Sequence, residues 1–137
     1  MQAQLSQPVL RQILRATAAV AVASTLAIGL GACAANDPLA DQFKAKGVDA
    51  IYCLSVNDAF VMKAWQVAQN ADAITMLADG DGSWTRALGL AKETGAFGGL
   101  RAQRFALIAR DGVVQQLFVE APGKFEVSDA QSLLAAL

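Results

Sequence analysis

Two thiols, Cys33 and Cys53, stand in a 137-residue chain that has no histidine. A Ser-His-Asp triad, a Cys-His pair and a His-ligated metal site of this chain alone are therefore excluded. Two cysteines are too few for a disulfide scaffold or a four-thiolate zinc site. A cysteine that attacks does so as the thiolate, whose pKa a neighbouring cation or a helix N-terminus lowers. Asp79-Gly-Asp-Gly-Ser83 superficially suggests a calcium loop. It lacks the ligand spacing and closing Glu of an EF-hand and reads as a plain turn. No metal and no cofactor is expected.

The length predicts one domain. With 11 Lys+Arg against 12 Asp+Glu the formal net charge is −1, which gives no reason to expect nucleic acid as a partner. The hydrophobic fraction of 55% is concentrated at one end. Residues 1–36 contain no acid and carry Arg11 and Arg15, followed by an uncharged run from Ala16 to Asn36. A basic start, an apolar run and small residues are the outline of a signal peptide. Residues 9–32 are also long enough for a bilayer span. Leu30-Gly31-Ala32-Cys33 is similar to a bacterial lipobox, which makes Cys33 a lipidation candidate. The run is Ala-rich, and Ala gains little on insertion, so a buried segment or a misassigned start stands beside export or anchoring.

Residues 37–137 form the second part and alternate helix-like and strand-like stretches. Leu39 and Phe43 fit a short helix that begins at Pro38 and stops at Gly47. Val48–Val56 reads as a buried strand, and Asn57 as the cap of a helix carrying Phe60, Val61, Ala64, Trp65 and Ala68. A strand over Ala73–Ala78 leads to a turn, then to a short helix capped by Ser83 that carries Trp84 and Leu88. The glycine-rich stretch 91–100 reads as a loop. Strands over Arg104–Ala109 and Val113–Val119, joined by Asp111-Gly112, predict a hairpin. Ser128 is the expected cap of a last helix with Leu133, Leu134 and Leu137 facing inward. The order βαβαββα argues an α/β sandwich related to thioredoxin.

Four blocks carry a resemblance. They are Val48-Asp-Ala-Ile-Tyr-Cys-Leu-Ser-Val-Asn-Asp-Ala-Phe-Val-Met-Lys-Ala-Trp65, residues 76–90 (Met-Leu-Ala-Asp-Gly-Asp-Gly-Ser-Trp-Thr-Arg-Ala-Leu-Gly-Leu), Arg101-Ala-Gln-Arg-Phe-Ala-Leu-Ile108 and residues 119–130 (Val-Glu-Ala-Pro-Gly-Lys-Phe-Glu-Val-Ser-Asp-Ala). Over about residues 41–137 the chain resembles the peroxiredoxin family, in its type II, peroxiredoxin-five-like branch. The resemblance implies a thioredoxin-like α/β sandwich and a thiol peroxidase of cell redox homeostasis. Such an enzyme reduces hydrogen peroxide and alkyl hydroperoxides. Glutathione, glutaredoxin or thioredoxin then restores the thiol. Arg104 matches the family's thiolate-stabilising arginine. Homodimers are common in the family, and Phe60, Met62, Trp65 and Trp84 are expected in the core or at such a contact. A cytoplasmic location is implied by family, an exported or anchored one by residues 1–36.

The family's cysteine motif, with Thr-Pro-Thr-Cys, is not matched. Counting the family's spacing back from Gly47 falls on Ile28, five residues before Cys33. Cys33 is thus a displaced nucleophile candidate, and Cys53, mid-strand, reads as structural. The departure implies impaired peroxidase activity; the alternative is a non-catalytic, membrane-tethered or truncated thioredoxin-fold module. It also leaves the central strand of the sheet atypical or missing, unless residues 20–29 supply a substitute. Two open edges would otherwise result.

Overall fold

The architecture follows from the run Phe105-Ala-Leu-Ile-Ala109, five consecutive buried residues within strand β6 (Phe105–Arg110). A strand carries an unbroken apolar run when both faces of its sheet are covered. Successive side chains alternate between those faces. Phe105, Leu107 and Ala109 pack with Leu54 and Leu90, and with Tyr52, Leu77, Trp84 and Leu88 around them. Ala106 and Ile108 pack with Phe43, Val48, Leu133 and Leu134. The structure, a computed structural model, describes residues 19–24 and 38–137.

Five strands form the main sheet: β1 (Ala19–Ser24), β2 (Val48–Ser55), β3 (Ile74–Ala78), β6 and β7 (Val113–Val119), in the order β3-β2-β1-β6-β7. Strand β1 runs parallel to β2, from Ala19 opposite Val48 to Ala23 opposite Cys53. It runs antiparallel to β6, from Val20 opposite Ala109 to Ser24 opposite Phe105. The central position expected to be atypical or missing is therefore filled by Ala19–Ser24, out of the apolar run of the first 36 residues. Paired along both edges, this strand closes the gap between the two halves of the sheet.

Helices α1 (Pro38–Ala45) and α4 (Ala130–Ala136) supply Phe43, Leu133 and Leu134 to one face. Helix α3 (Ser83–Ala87) brings Trp84 to the other. Helix α2 (Ala59–Ala68) makes the crossover between the parallel strands β2 and β3 and buries Met62. The helix caps fall one residue from their expected places. Asp58, not Asn57, accepts from Val61 N at 2.8 Å, while Asn57 turns back to Ser55 Oγ. Asp129, not Ser128, accepts from the N–H groups of Gln131 and Ser132. At α3 the cap position is Gly82 at φ 69, with Ser83 the first helical residue. The left-handed backbone at Gly82 is what favours glycine there, and a Cβ would also meet the end of the Leu100 side chain, which would have to turn aside.

Buried Asp79 does the work of a cap from further back. Its Oδ1 accepts from Trp84 N at 3.0 Å, and its Oδ2 from Thr85 N at 2.8 Å and Thr85 Oγ1 at 2.7 Å. The Asp79–Ser83 turn thus spends its buried carboxylate on helix α3. Asp111 and Gly112, at φ 51 and 79, give the β6–β7 hairpin its two-residue turn as the Asp-Gly signal predicts. The stretch read as a loop is instead a small hairpin, β4 (Ala91–Glu93) with β5 (Leu100–Ala102), around a single 3-10 turn at Gly95–Phe97. Leu137 is more exposed than its expected inward position, and Phe60 is 88% exposed. Among the described residues no helix is long and apolar enough to cross a membrane.

Candidate active site

Arg104 immediately precedes β6, and the register of β6 fixes what lies beside it. Ser24, the last residue of β1, is opposite Phe105, so the chain leaves the central strand next to Arg104. The ends of β2 at Ser55 and β3 at Ala78 point the same way, since both strands run parallel with β1. The carboxyl ends of parallel strands, where a sheet changes direction, are the usual place for a site in an open α/β sheet.

The surroundings of Arg104 come from the segment after β7. Glu120 N donates to Arg104 O at 2.9 Å, which carries the β6–β7 pairing one step further. Ala121-Pro122-Gly123-Lys124 is then a tight turn, closed by Lys124 N to Ala121 O at 2.9 Å with Gly123 at φ 78. Proline second and a positive-φ glycine third are what a type II turn demands. The turn sends the chain back so that Phe125 lies over the guanidinium, 3.7 Å from Arg104 Cζ to the ring centre. That is within range of a cation–π contact. Arg104 Nε donates to Ser128 Oγ at 3.3 Å.

Ser128 Oγ in turn donates to Glu120 Oε1 at 2.8 Å. The same carboxylate oxygen accepts the N–H groups of Glu126, Val127 and Ser128 at 2.8–2.9 Å. Burial by itself would push the Glu120 carboxyl up. The Val127 N–H, the Ser128 hydroxyl and N–H, and the Glu126 N–H prevail and hold it at about 2. Burial lowers Arg104 from the ordinary guanidinium value, against the opposing charges of Glu120 and Asp129. Asp129 is held below the usual carboxylate range chiefly by the Ser132 hydroxyl.

Among the described residues, Arg104 Nη2 is the buried side-chain nitrogen left without a hydrogen-bond partner. A buried guanidinium nitrogen in this state is costly unless something negative or hydrogen-bond accepting meets it. The arrangement suits an anion or a polarised oxygen delivered where the chain leaves β1.

Of the residues singled out in the sequence, Arg104 occupies this position. Cys53 does not share it. It is buried in β2 between Ala23 and Met76 in register, and β1 separates its strand from β6. Cys33 lies outside the described residues. Among the described residues no His/Cys/Asp/Glu group is arranged to hold a metal ion. Glu120, Phe125 and Ser128 were not anticipated as Arg104's surroundings. The available signal was an acid at the end of an apolar strand, directly before a Pro-Gly turn, where a carboxylate can gather the N–H groups of the returning chain.

Comparison with known proteins bears on this geometry. A family described as Redoxin matches residues 15–134. The match begins ahead of β1, well before the blocks quoted above. Reduced Prx3 from Vibrio vulnificus, solved in complex with hydrogen peroxide, superposes with a TM-score of 0.84 at 51% identity, covering 96% of this chain and 84% of that one. A peroxiredoxin of Synechocystis is 40% identical over 109 residues, 74% of this chain and 58% of the relative. The chloroplastic Peroxiredoxin-2E-2 of Oryza sativa subsp. japonica is 48% identical over 105 residues, 72% of this chain and 46% of the relative. The chain thus spans about half the length of these curated relatives.

Proposed function

The chain belongs to the redoxin family as a peroxiredoxin, and on that premise we propose that it is a thiol peroxidase in which Arg104 stabilises a thiolate supplied by Cys33. The observation that carries this reading is the buried Arg104 Nη2, without a hydrogen-bond partner among the described residues, at the end of the sheet where β1 releases the chain. Cys33 follows Ser24 by nine residues, and nine residues reach up to about 30 Å when extended. Cys53, buried in mid-strand, serves packing.

The substrate class is a hydroperoxide. The thiolate sulfur attacks the terminal peroxide oxygen, forming an S–O bond as the O–O bond breaks. The departing oxygen takes a proton and leaves as water or alcohol. Cysteine is oxidised to the sulfenic acid while the peroxide is reduced by two electrons. The guanidinium serves twice, favouring the thiolate before attack and the oxyanion that leaves. A thiol donor of the glutathione, glutaredoxin or thioredoxin type displaces water from the sulfenic sulfur to give a mixed disulfide, and a second thiol returns the cysteine. The Vibrio vulnificus relative holding hydrogen peroxide supports this substrate class.

The test is stopped-flow thiol loss in the reduced chain after one equivalent of hydrogen peroxide, with Cys33→Ser, Cys53→Ser and Arg104→Lys alongside. Rapid loss is expected in the parent and in Cys53→Ser, abolished by Cys33→Ser and slowed roughly 10²-fold or more by Arg104→Lys. Loss at the rate of a small-molecule thiol in every protein would overturn the reading and leave a redoxin fold without its chemistry.

A further inference from the structure

We propose that Glu120 is the positioning residue for Arg104, holding the guanidinium in one orientation through the loop it folds over it. Three observations converge. Glu120 Oε1 collects four donors from three successive residues, 126–128, so one oxygen fixes the return of the whole 121–128 segment. That segment carries both groups touching the guanidinium, the Phe125 ring and Ser128 Oγ. Phe125 is itself 52% exposed, so its place over Arg104 is not set by burial in the core.

The connection is indirect, and this matters chemically. No ion pair joins Glu120 to Arg104 among the described residues; the two salt bridges there are Lys44–Asp41 and Lys124–Glu126. Arg104 Nε–H donates to Ser128 Oγ, whose own hydrogen goes to Glu120 Oε1. A carboxylate directly on the guanidinium would occupy the donors and offset the charge that a thiolate or leaving oxyanion needs. Working through Ser128, Glu120 orients one edge of the fork and leaves Nη2 available. No proton moves, so the role argued is orientation, beside the opposing charge that Glu120 sets near Arg104. What the orientation serves rests on the peroxidase reading; the positioning itself does not.

The experiment separates the two. In the full chain labelled with ¹⁵N-arginine, the Arg104 Nε–H signal, assigned by its loss in Arg104→Lys, is displaced by the ring current of Phe125. Phe125→Leu supplies the value for an uncovered guanidinium. Glu120→Ala is expected to move the signal to that value, whereas Glu120→Gln, which keeps an acceptor oxygen, retains most of the parent's displacement. Glu120→Asp, which withdraws the carboxylate by one methylene and leaves the Ser128 hydroxyl in place, is expected to shift the same signal part of the way if Glu120→Ala proves unable to fold. An unmoved signal in folded Glu120→Ala, or in Glu120→Asp, overturns the proposal. Peroxide consumption by Glu120→Ala is expected to fall about ten- to a hundredfold, with substantial recovery in Glu120→Gln. A parent that shows the displaced signal yet reacts no faster than a small-molecule thiol refutes the peroxidase reading and leaves the positioning role standing.

Discussion

Replacing Thr85 with valine deletes one hydroxyl and leaves the side chain's shape. Thr85 is fully buried, and its Oγ1 donates to Asp79 Oδ2 at 2.7 Å, on the same oxygen that accepts its own N–H at 2.8 Å. A hydrogen bond to a charged partner contributes about 1.5–3 kcal/mol. Two backbone donors remain on Asp79, so the carboxylate is not stranded and a value of about 2 kcal/mol is expected. Thr85→Ser is the control, because it keeps the hydroxyl and removes a methyl. Burial of one such group is worth about 0.8 kcal/mol, and with the small cavity the cost is about 1 kcal/mol. Valine should therefore be the more damaging replacement by about 1 kcal/mol, although it fills the site better. Urea unfolding followed by tryptophan fluorescence reads the difference directly, because Trp84 neighbours Thr85 and packs on the core of Leu54 and Phe105. Midpoints compared at equal slope give the ranking. A Thr85→Val protein as stable as Thr85→Ser would show that methyl packing, not the bond to Asp79, holds α3 to the turn after β3.

Glu120→Gln carries a pH signature. A carboxyl at about 2 in the folded chain, against an ordinary 4.5, gives stability that is complete above about pH 4.5 and is lost as pH falls toward 2. The stability difference between parent and Glu120→Gln should accordingly be constant from pH 5 to 7 and shrink below that, and a difference independent of pH from 2 to 7 would contradict the assignment. Phe105→Ala removes the largest fully buried ring, and a loss of about 3–5 kcal/mol in denaturant unfolding is expected. A loss under 1 kcal/mol would mean that β6 is not the centre of the core.

The sequence made some elements plain for physical reasons that the structure bears out. The Asp111-Gly112 pair sits between two apolar runs, and that combination is the strongest short-range signal of a two-residue turn with positive φ. Val48–Ser55 and Phe105–Arg110 were recognisable because strands covered on both faces have little but apolar residues. The same rule left β1 open: a substitute strand from residues 20–29 was one alternative, and Ala19–Ser24 takes that central place. Ala-Val-Ala-Val-Ala-Ser in a long uncharged run has the composition of a leader or a bilayer segment, and composition alone does not distinguish these from a strand paired on both edges. The β4–β5 hairpin was missed because its strands are three residues each around a glycine-rich turn. At the candidate site, Arg104 stands out through the resemblance, but its environment does not. Glu120, Phe125 and Ser128 reach it through a turn and a serine hydroxyl 24 residues away in the chain. Such a meeting is a property of the return path, not of any local pattern.

The placement of β1 also bears on how the chain comes together during synthesis. Its antiparallel contacts join residues far apart in sequence, Ser24 with Phe105 and Val20 with Ala109. At about 5–20 residues per second, a ribosome needs on the order of 4–17 s to make the intervening stretch. Until then the β2–β3 unit and the later β6–β7 hairpin have no direct ladder between them, because β1 is the strand that joins them. Closing the sheet is thus a non-local event that local pairing cannot hasten, and it belongs late in folding. The nascent chain carries an unpaired β1 edge through that interval, exposed to any other extended strand, including one from a neighbouring copy.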